Sequence, residues 1–306
     1  MDKLYAVGCH GQPGFTHCEP FVKAAAFGPT QAIALTVFCD LLDKYVFNPC
    51  HLRRVYGAKY ASLPEDQQRR LGNLHIGILI KATAFALICS AMYLSAVRDL
   101  TWETQGWFGM TVAEMVNLAV MSYPALCIYD MIKTANMRPL YVLHHLFVIG
   151  WILGAFYLVL TTSSDQPTES LEQAIHLCKI SVGMCVFSSI CSVVSRLTYL
   201  VRTLSSKTNR FLPHAFFLGF AAQSLFIAAE AGLITYLVVA YREKIPSAAP
   251  PLFGLAQAVF TATKIKSAMS VLDVYKRQVQ DSRRMVDGGT ASPGIVGKRE
   301  KGAIRL

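Results

Sequence analysis

The chain has 306 residues, of which 53% are hydrophobic and only 16% charged, with a formal net charge of +10. Its mean hydropathy is +0.39, whereas soluble domains carry roughly 25% charge, so a water-soluble monomer is excluded. The basic residues lie between apolar segments and in the tail instead of forming one patch with interleaved aromatics, so a nucleic-acid partner is excluded as well.

The first twenty residues lack the uninterrupted apolar core of a cleavable signal peptide, and the first spanning helix is expected to serve as the membrane-targeting signal. A helix needs about 20 mainly apolar residues to cross the hydrocarbon layer. Runs of that kind predict an all-α polytopic membrane protein with about seven crossings, near 29–47, 72–97, 108–132, 140–162, 173–195, 213–241 and 249–272. Asp40 and Asp43 interrupt the first, and Lys264 and Lys266 the last, so either could instead lie at the interface. The nine cysteines contain no CxxC pair, and Cys89, Cys185 and Cys191 fall inside apolar runs, where a free thiol behaves as a small hydrophobe.

The expected organisation is an N-terminal segment with the first helix over 1–59, a membrane domain over 60–272, and a basic, disordered cytoplasmic tail over 273–306. From Asp273 the chain is too polar to assemble a core. Lys276, Arg277, Arg283 and Arg284 read as a solvated topology signal or as contacts to anionic headgroups. No internal repeat or Walker-type nucleotide loop occurs.

Cytoplasmic loops carry the excess of Lys and Arg. Arg53, Arg54, Lys59, Arg69 and Arg70, then Lys133 and Arg138, then Arg196, Arg202, Lys207 and Arg210 fall on one side, and the tail joins them. The other side offers Lys3, Lys23, Arg98, Arg242 and Lys244. The pattern predicts an exterior or luminal N-terminus and a cytoplasmic C-terminus.

Ionisable groups inside spanning helices are costly and usually face a cavity or a partner. His75, Asp130, His144, His145, Arg196 and His214 all fall at the cytoplasmic ends of predicted helices. The link KTANMRP permits only an antiparallel hairpin, which brings Asp130 near the two histidines. Adjacent helical residues point about 100° apart, so one histidine can aim at Asp130 while the other faces a neighbouring helix or lipid. A carboxylate beside an imidazole selects its tautomer and raises its basicity, as a general base requires. The competing reading has these histidines simply reaching the headgroup layer. Deeper, Lys81, Glu230 and Lys264 are expected either to line a cavity or to pair between helices, while Glu114 and Lys179 are expected to snorkel. Three imidazoles and a carboxylate would suit zinc, but without HxxxH or HxxHH spacing no metal is expected. The small residues and proline of Ser122-Tyr123-Pro124 and of Gly150 to Gly154 read as packing and kinking features.

Residues 60–272 resemble the TLC family, the membrane domain shared by ceramide synthases and translocation-associated membrane proteins. The pieces are KYASLPEDQQRRLGNLHIG, MSYPALCIYDMI, RPLYVLHHLFVIG and SSICSVVSRLTYLVR. The chain is most similar to the small TLC-domain-containing members. The resemblance implies six of the helices in a barrel around a lipid-accessible cavity in the endoplasmic reticulum. It implies activities from acyl-CoA-dependent N-acylation to non-enzymatic roles in lipid composition. The site it implies is His144 and His145 with Asp130 as catalytic residues and His75 and Arg196 beside them; His75, Arg196 and, from their depth alone, His214 and Lys264 are the candidates for lipid or substrate binding. Two features depart from the family. LEQAIHLCKISVGMCVF offers His176 but no aspartate where ceramide synthases carry an acidic motif, and the glutamate and proline before the helix-ending arginine are missing.

The leading expectation is therefore lipid homeostasis by binding or redistributing membrane lipids, without a resident cofactor. The alternative is an acyltransferase with acyl-CoA as co-substrate. A remote third is a seven-helix receptor or retinal protein using Lys264.

Overall fold

The computed structural model describes residues 18–98, 104–134, 137–165, 168–204, 211–245, 247 and 249–287. Eight α-helices fill these segments: α1 Cys18–Leu41, α2 Pro49–Ala61, α3 Glu65–Val97, α4 Val112–Lys133, α5 Pro139–Asp165, α6 Thr168–Leu204, α7 Leu212–Ala240 and α8 Ala249–Asp287. Among the described residues there is no strand, only an isolated bridge between Gln105 and Thr111. The chain is all-helical, as its composition predicts.

Local chemistry sets the helix starts. Asn48 caps α2 by accepting the His51 amide at 2.9 Å, with Pro49 at the first helical position, where its missing N–H costs nothing. Helix α3 follows Pro64 and carries Glu65 and Asp66 in its first turn, where the helix dipole favours acids. Thr111 and Glu114 form a reciprocal capping box at the start of α4, with bonds of 3.2 and 2.7 Å. Glu114, expected to snorkel, is thus a cap. Lys179 has its side chain outside the described residues.

Among the described residues, four helices are long and apolar enough to cross a membrane: Glu65–Ser95, Val112–Lys133, Ile180–Leu204 and Leu212–Ala240. The described apolar stretch of α5, Pro139–Ala155, is shorter. Burial sorts these helices. In its most apolar stretch α4 has 78% of residues inside the protein, against 17% for α7, so α4 is the central post and α7 turns an apolar surface outward. Leu218, Leu225, Tyr236 and Val239 on α7 are each at least 66% exposed, a patch that only a non-aqueous surrounding accommodates at this scale.

Around α4, a core cluster joins Ala32 of α1, Ala84 and Ile88 of α3, Ala119 to Tyr123 of α4, Ile152 of α5 and Cys185 of α6. A second cluster packs Phe253, Ala256 and Phe260 of α8 against Ile180 and Met184 of α6 and Ile234 of α7. Outside the bundle, Lys133 at the end of α4 bridges Asp40 at 2.7 Å and Asp43 at 3.1 Å. The two carboxylates that interrupt the first predicted span therefore anchor the end of α1, through Asp40, and the segment that follows it, through Asp43, to α4.

Two expectations change. The tail was expected to lose order at Asp273, but α8 runs on to Asp287. Val271 and Val274 are buried there, and Val274 packs with Leu212 and Phe216 of α7, so apolar residues at helical spacing carry the helix past the polar boundary. Residues 288–306 lie outside the described segments, as does the sequence before Cys18. At Gly150 and Gly154 an added Cβ would meet nothing within 4 Å, so these glycines do not serve close packing.

Met121 is fully buried in α4, whereas Ile132 on the same helix is 70% exposed. Lipid tails are as apolar as the core, so truncation costs mainly the cavity it leaves. Met121→Ala is expected to lose about 2 kcal/mol, the low end of the range for such truncations, and Ile132→Ala essentially nothing. Thermal unfolding of the two variants in detergent checks the contrast.

A polar cavity as the candidate functional site

At the end of the bundle that carries the α4–α5 and α6–α7 connections, six helices enclose a cavity of about 360 Å³. Helical spacing places its lining residues. Helix α4 contributes Tyr123, Cys127, Asp130 and Thr134, and α5 contributes Tyr141, His144, His145 and Val148; residues three and four apart share one helix face. Ser188, Cys191, Ser192, Ser195, Arg196 and Tyr199 form the matching stripe on α6. Arg70, Asn73 and Lys81 come from α3, Gln223 from α7, and Thr263, Lys264 and Ser267 from α8. Among the described residues, α1 and α2 contribute nothing to the wall.

The strongest polar contact is between Arg196 and Asp130. The Arg196 guanidinium donates to Asp130 Oδ2 at 2.9 Å and, through its other nitrogen, to the main-chain carbonyl of Asn73 at 2.9 Å. One side chain of α6 therefore ties α3 to α4. Its fork needs room, and Gly77 supplies it. A Cβ at Gly77 would collide with the Arg196 guanidinium, so any larger residue here displaces the guanidinium from its present seat.

The histidines divide their tasks. His145 is the one beside Asp130, its Nε2 4.0 Å from Oδ2, which is ion-pair range but too long for a hydrogen bond. Among the described residues its Nδ1 is buried without a hydrogen-bond partner. His144 turns toward α8, edge-on to Phe260 at 5.1 Å between ring centres and 3.5 Å from the Thr263 hydroxyl. Asp130 was expected to orient an imidazole; its closest partner is instead the guanidinium, which takes the share of the carboxylate's charge that would have gone to the ring.

His75 and His214 do not join them. The Nδ1 of His75 lies 2.6 Å from the Leu71 carbonyl, which can only accept, so Nδ1 carries the proton and Nε2 accepts from the Tyr56 hydroxyl at 2.6 Å. Burial pushes the Tyr56 phenol above its usual range, which keeps the hydroxyl proton in place. With Phe47 stacked on it at 5.3 Å, His75 fastens α2 to α3. His214 is exposed in the first turn of α7 and lies off the cavity.

Deeper polar groups pair across helices. Lys264 of α8 forms a buried ion pair with Glu230 of α7, so both readings of Lys264 hold, since it lines the cavity and pairs. Tyr123 donates to the Cys185 carbonyl at 2.5 Å and shares its hydroxyl with Ser189, joining α4 to α6. Gln223 donates to Ser195 at 2.9 Å, and Ser195 meets Ser267 at 2.6 Å, so α7, α6 and α8 are linked in turn. The remaining deep cation, Lys81, has its ammonium 6.0 Å from the centre of the Tyr123 ring.

Beyond this polar chamber a small apolar cleft of about 30 Å³ continues between Trp151, Ile152, Met184 and Phe260, sharing Tyr123, His144, Val148 and Ser188 with it. Among the described residues no three His, Cys, Asp or Glu side chains are grouped to hold a metal ion. Comparisons with protein-family models, curated proteins and solved structures return no match.

Sequence reasoning did not single out Asn73, Gly77, Gln223, Ser195 or Tyr199. A signal was present, since Arg70, Asn73, Gly77 and Lys81 fall at intervals of three or four along α3 and mark a polar and small stripe on an apolar helix.

Because Gly77 makes room for the guanidinium, Gly77→Ala and Arg196→Gln disturb the same contact. Each is expected to lower stability by about 2–3 kcal/mol, under the full 3–5 kcal/mol for breaking a buried pair because this pair faces a cavity. The double variant is expected to lose little more than either single one. Unfolding midpoints of the three variants measure this, and full additivity would show that Gly77 acts independently of Arg196.

Proposed function

We propose that this chain is a lipid-handling membrane protein that accommodates a membrane lipid in the cavity between α3 and α8. The observation that carries the reading is the cavity itself. It has a volume within the range of small-molecule sites, about 300–1,000 Å³, a polar chamber at one end and an apolar cleft at the other, inside a bundle whose outer surface is apolar. An amphiphile matches that gradient. The role proposed is lipid homeostasis by binding or redistribution, in keeping with the TLC-like motifs and with a place in the endoplasmic reticulum.

In this reading α1, α5 and α8 cross the membrane along with the four helices that qualify by length and composition, giving seven crossings. The helices α3 to α8 form a TLC-type barrel, with the N-terminus luminal and the C-terminus cytoplasmic. The excess of Lys and Arg at the cavity end supports that orientation. The retinal reading is not supported, because the Lys264 side chain is already engaged in a buried ion pair with Glu230.

Ser188 lines both the chamber and the cleft, so Ser188→Trp fills the passage between them. Native mass spectrometry of the purified protein is expected to show a retained lipid that this variant loses. A lipid-free wild-type spectrum, with lipid profiles unchanged in cells lacking the protein, would sink the proposal.

One observation favours acyl transfer from acyl-CoA as a second reading: His145 lines the cavity with its Nε2 4.0 Å from Asp130 Oδ2, and an imidazole beside a carboxylate is the usual general base toward a hydroxyl or amine. Against it, Asp130 is committed to Arg196. If the reading holds, purified protein moves a labelled acyl chain from its thioester to a lipid acceptor, and the double variant His144→Ala with His145→Ala loses at least 100-fold in rate. Absence of any transferred label rules it out.

A further inference from the structure

We infer that the cavity selects an amphiphile with an anionic head, a carboxylate or a phosphate, and that Lys81 is the residue that reads it. The inference rests on the lipid-binding reading above and names the ligand's charge.

The charges on the cavity wall do not balance. Arg196 is matched by Asp130 and Lys264 by Glu230. Arg70, Lys81 and Arg138 have no carboxylate partner among the described residues, although all three line the chamber. Arg70 and Arg138 sit at helix starts next to the connections, where the topology rule alone accounts for them. Lys81 has no such account. It lies 16 residues into α3 and 14 before Ser95, the end of the apolar stretch, so it is roughly 20 Å from either end at 1.5 Å per residue. A cation at that depth is retained where it meets a partner or a substrate, and among the described residues its ammonium makes contact at 6.0 Å with the face of Tyr123, a weak substitute for a counter-ion.

The surroundings of Lys81 say which part of the ligand lies there. Tyr123 belongs to the wall of both the chamber and the apolar cleft, so a head seated at Lys81 points its chain toward Val148, Ile152 and Met184. The serines of α6 and His145 supply neutral polar groups around the same space. The arginine pair at the mouth then acts on approach, by drawing anions in, while Lys81 acts on the bound state.

The test exposes the full-length protein in detergent to oleate, lysophosphatidic acid, lysophosphatidylcholine and inorganic phosphate, and reads retention by native mass spectrometry. Oleate or lysophosphatidic acid is expected to be retained at least tenfold better than lysophosphatidylcholine, with inorganic phosphate not retained. Lys81→Met is expected to abolish the preference without abolishing binding, and Lys81→Arg to keep it; the arginine variant also guards against a folding defect at this position. Equal retention of the anionic and zwitterionic chains overturns the charge inference and leaves the lipid-binding reading standing. Retention of inorganic phosphate alone overturns it in favour of a soluble anion. A preference that survives in Lys81→Met assigns it elsewhere, and no retained lipid at all overturns both readings.

Discussion

The pairing of Arg196 with Asp130 holds the rest of the arrangement in place. Three helices meet there: α6 through the guanidinium, α4 through the carboxylate and α3 through the Asn73 carbonyl and the space left by Gly77. In a bundle where lipid tails compete equally well for every apolar side chain, hydrophobic burial gives little preference for one helix arrangement over another. A charged pair that must find its partner does give one. The side chains of the two partners are 17% and 12% exposed, so the pair sits at the cavity wall and not in the closed core. It therefore sets the spacing of the helices and the shape of the chamber together.

The other cross-helix polar contacts extend this logic. Tyr123 with Cys185 and Ser189 joins α4 to α6, Gln223 with Ser195 and Ser267 joins α7, α6 and α8, and Lys264 with Glu230 joins α8 to α7. Each leaves polar atoms directed at the interior, and the cavity is where they gather. The fold and the candidate site are thus one construction, in which the contacts that specify the bundle also make its interior receptive to a polar head. Lys81 stands apart because it contributes a charge to the chamber wall without a carboxylate partner among the described residues.

Much of this was legible in the sequence, and the reasons differ from part to part. The all-helical architecture follows from the length of the apolar runs, and the approach of Asp130 to the histidines follows from the short connection between α4 and α5. The division of His144 from His145 follows from the 100° step between adjacent residues. The partner of Asp130 did not follow, because a contact between residues 66 positions apart depends on the order of helices around the bundle. The helical course of α8 beyond Asp273 was missed because the local composition is polar, and its described packing there rests on Val274 with Tyr275 against α7. His75 looked like a site residue from its depth alone; its two hydrogen bonds to Leu71 and Tyr56 show that depth places a histidine without assigning it a task.

The central claim is that the space between α3 and α8 is a lipid site. A bound chain would lie against residues on α4, α5 and α6 that the outer surface does not share. Photo-crosslinking with a fatty acid carrying a diazirine near its methyl end, followed by peptide mapping, distinguishes the two locations. Adducts at Val148, Ile152 and Met184, competed away by unlabelled oleate, are the result expected. Adducts confined to outward-facing residues such as Leu218, Leu225 and Val239 would contradict it.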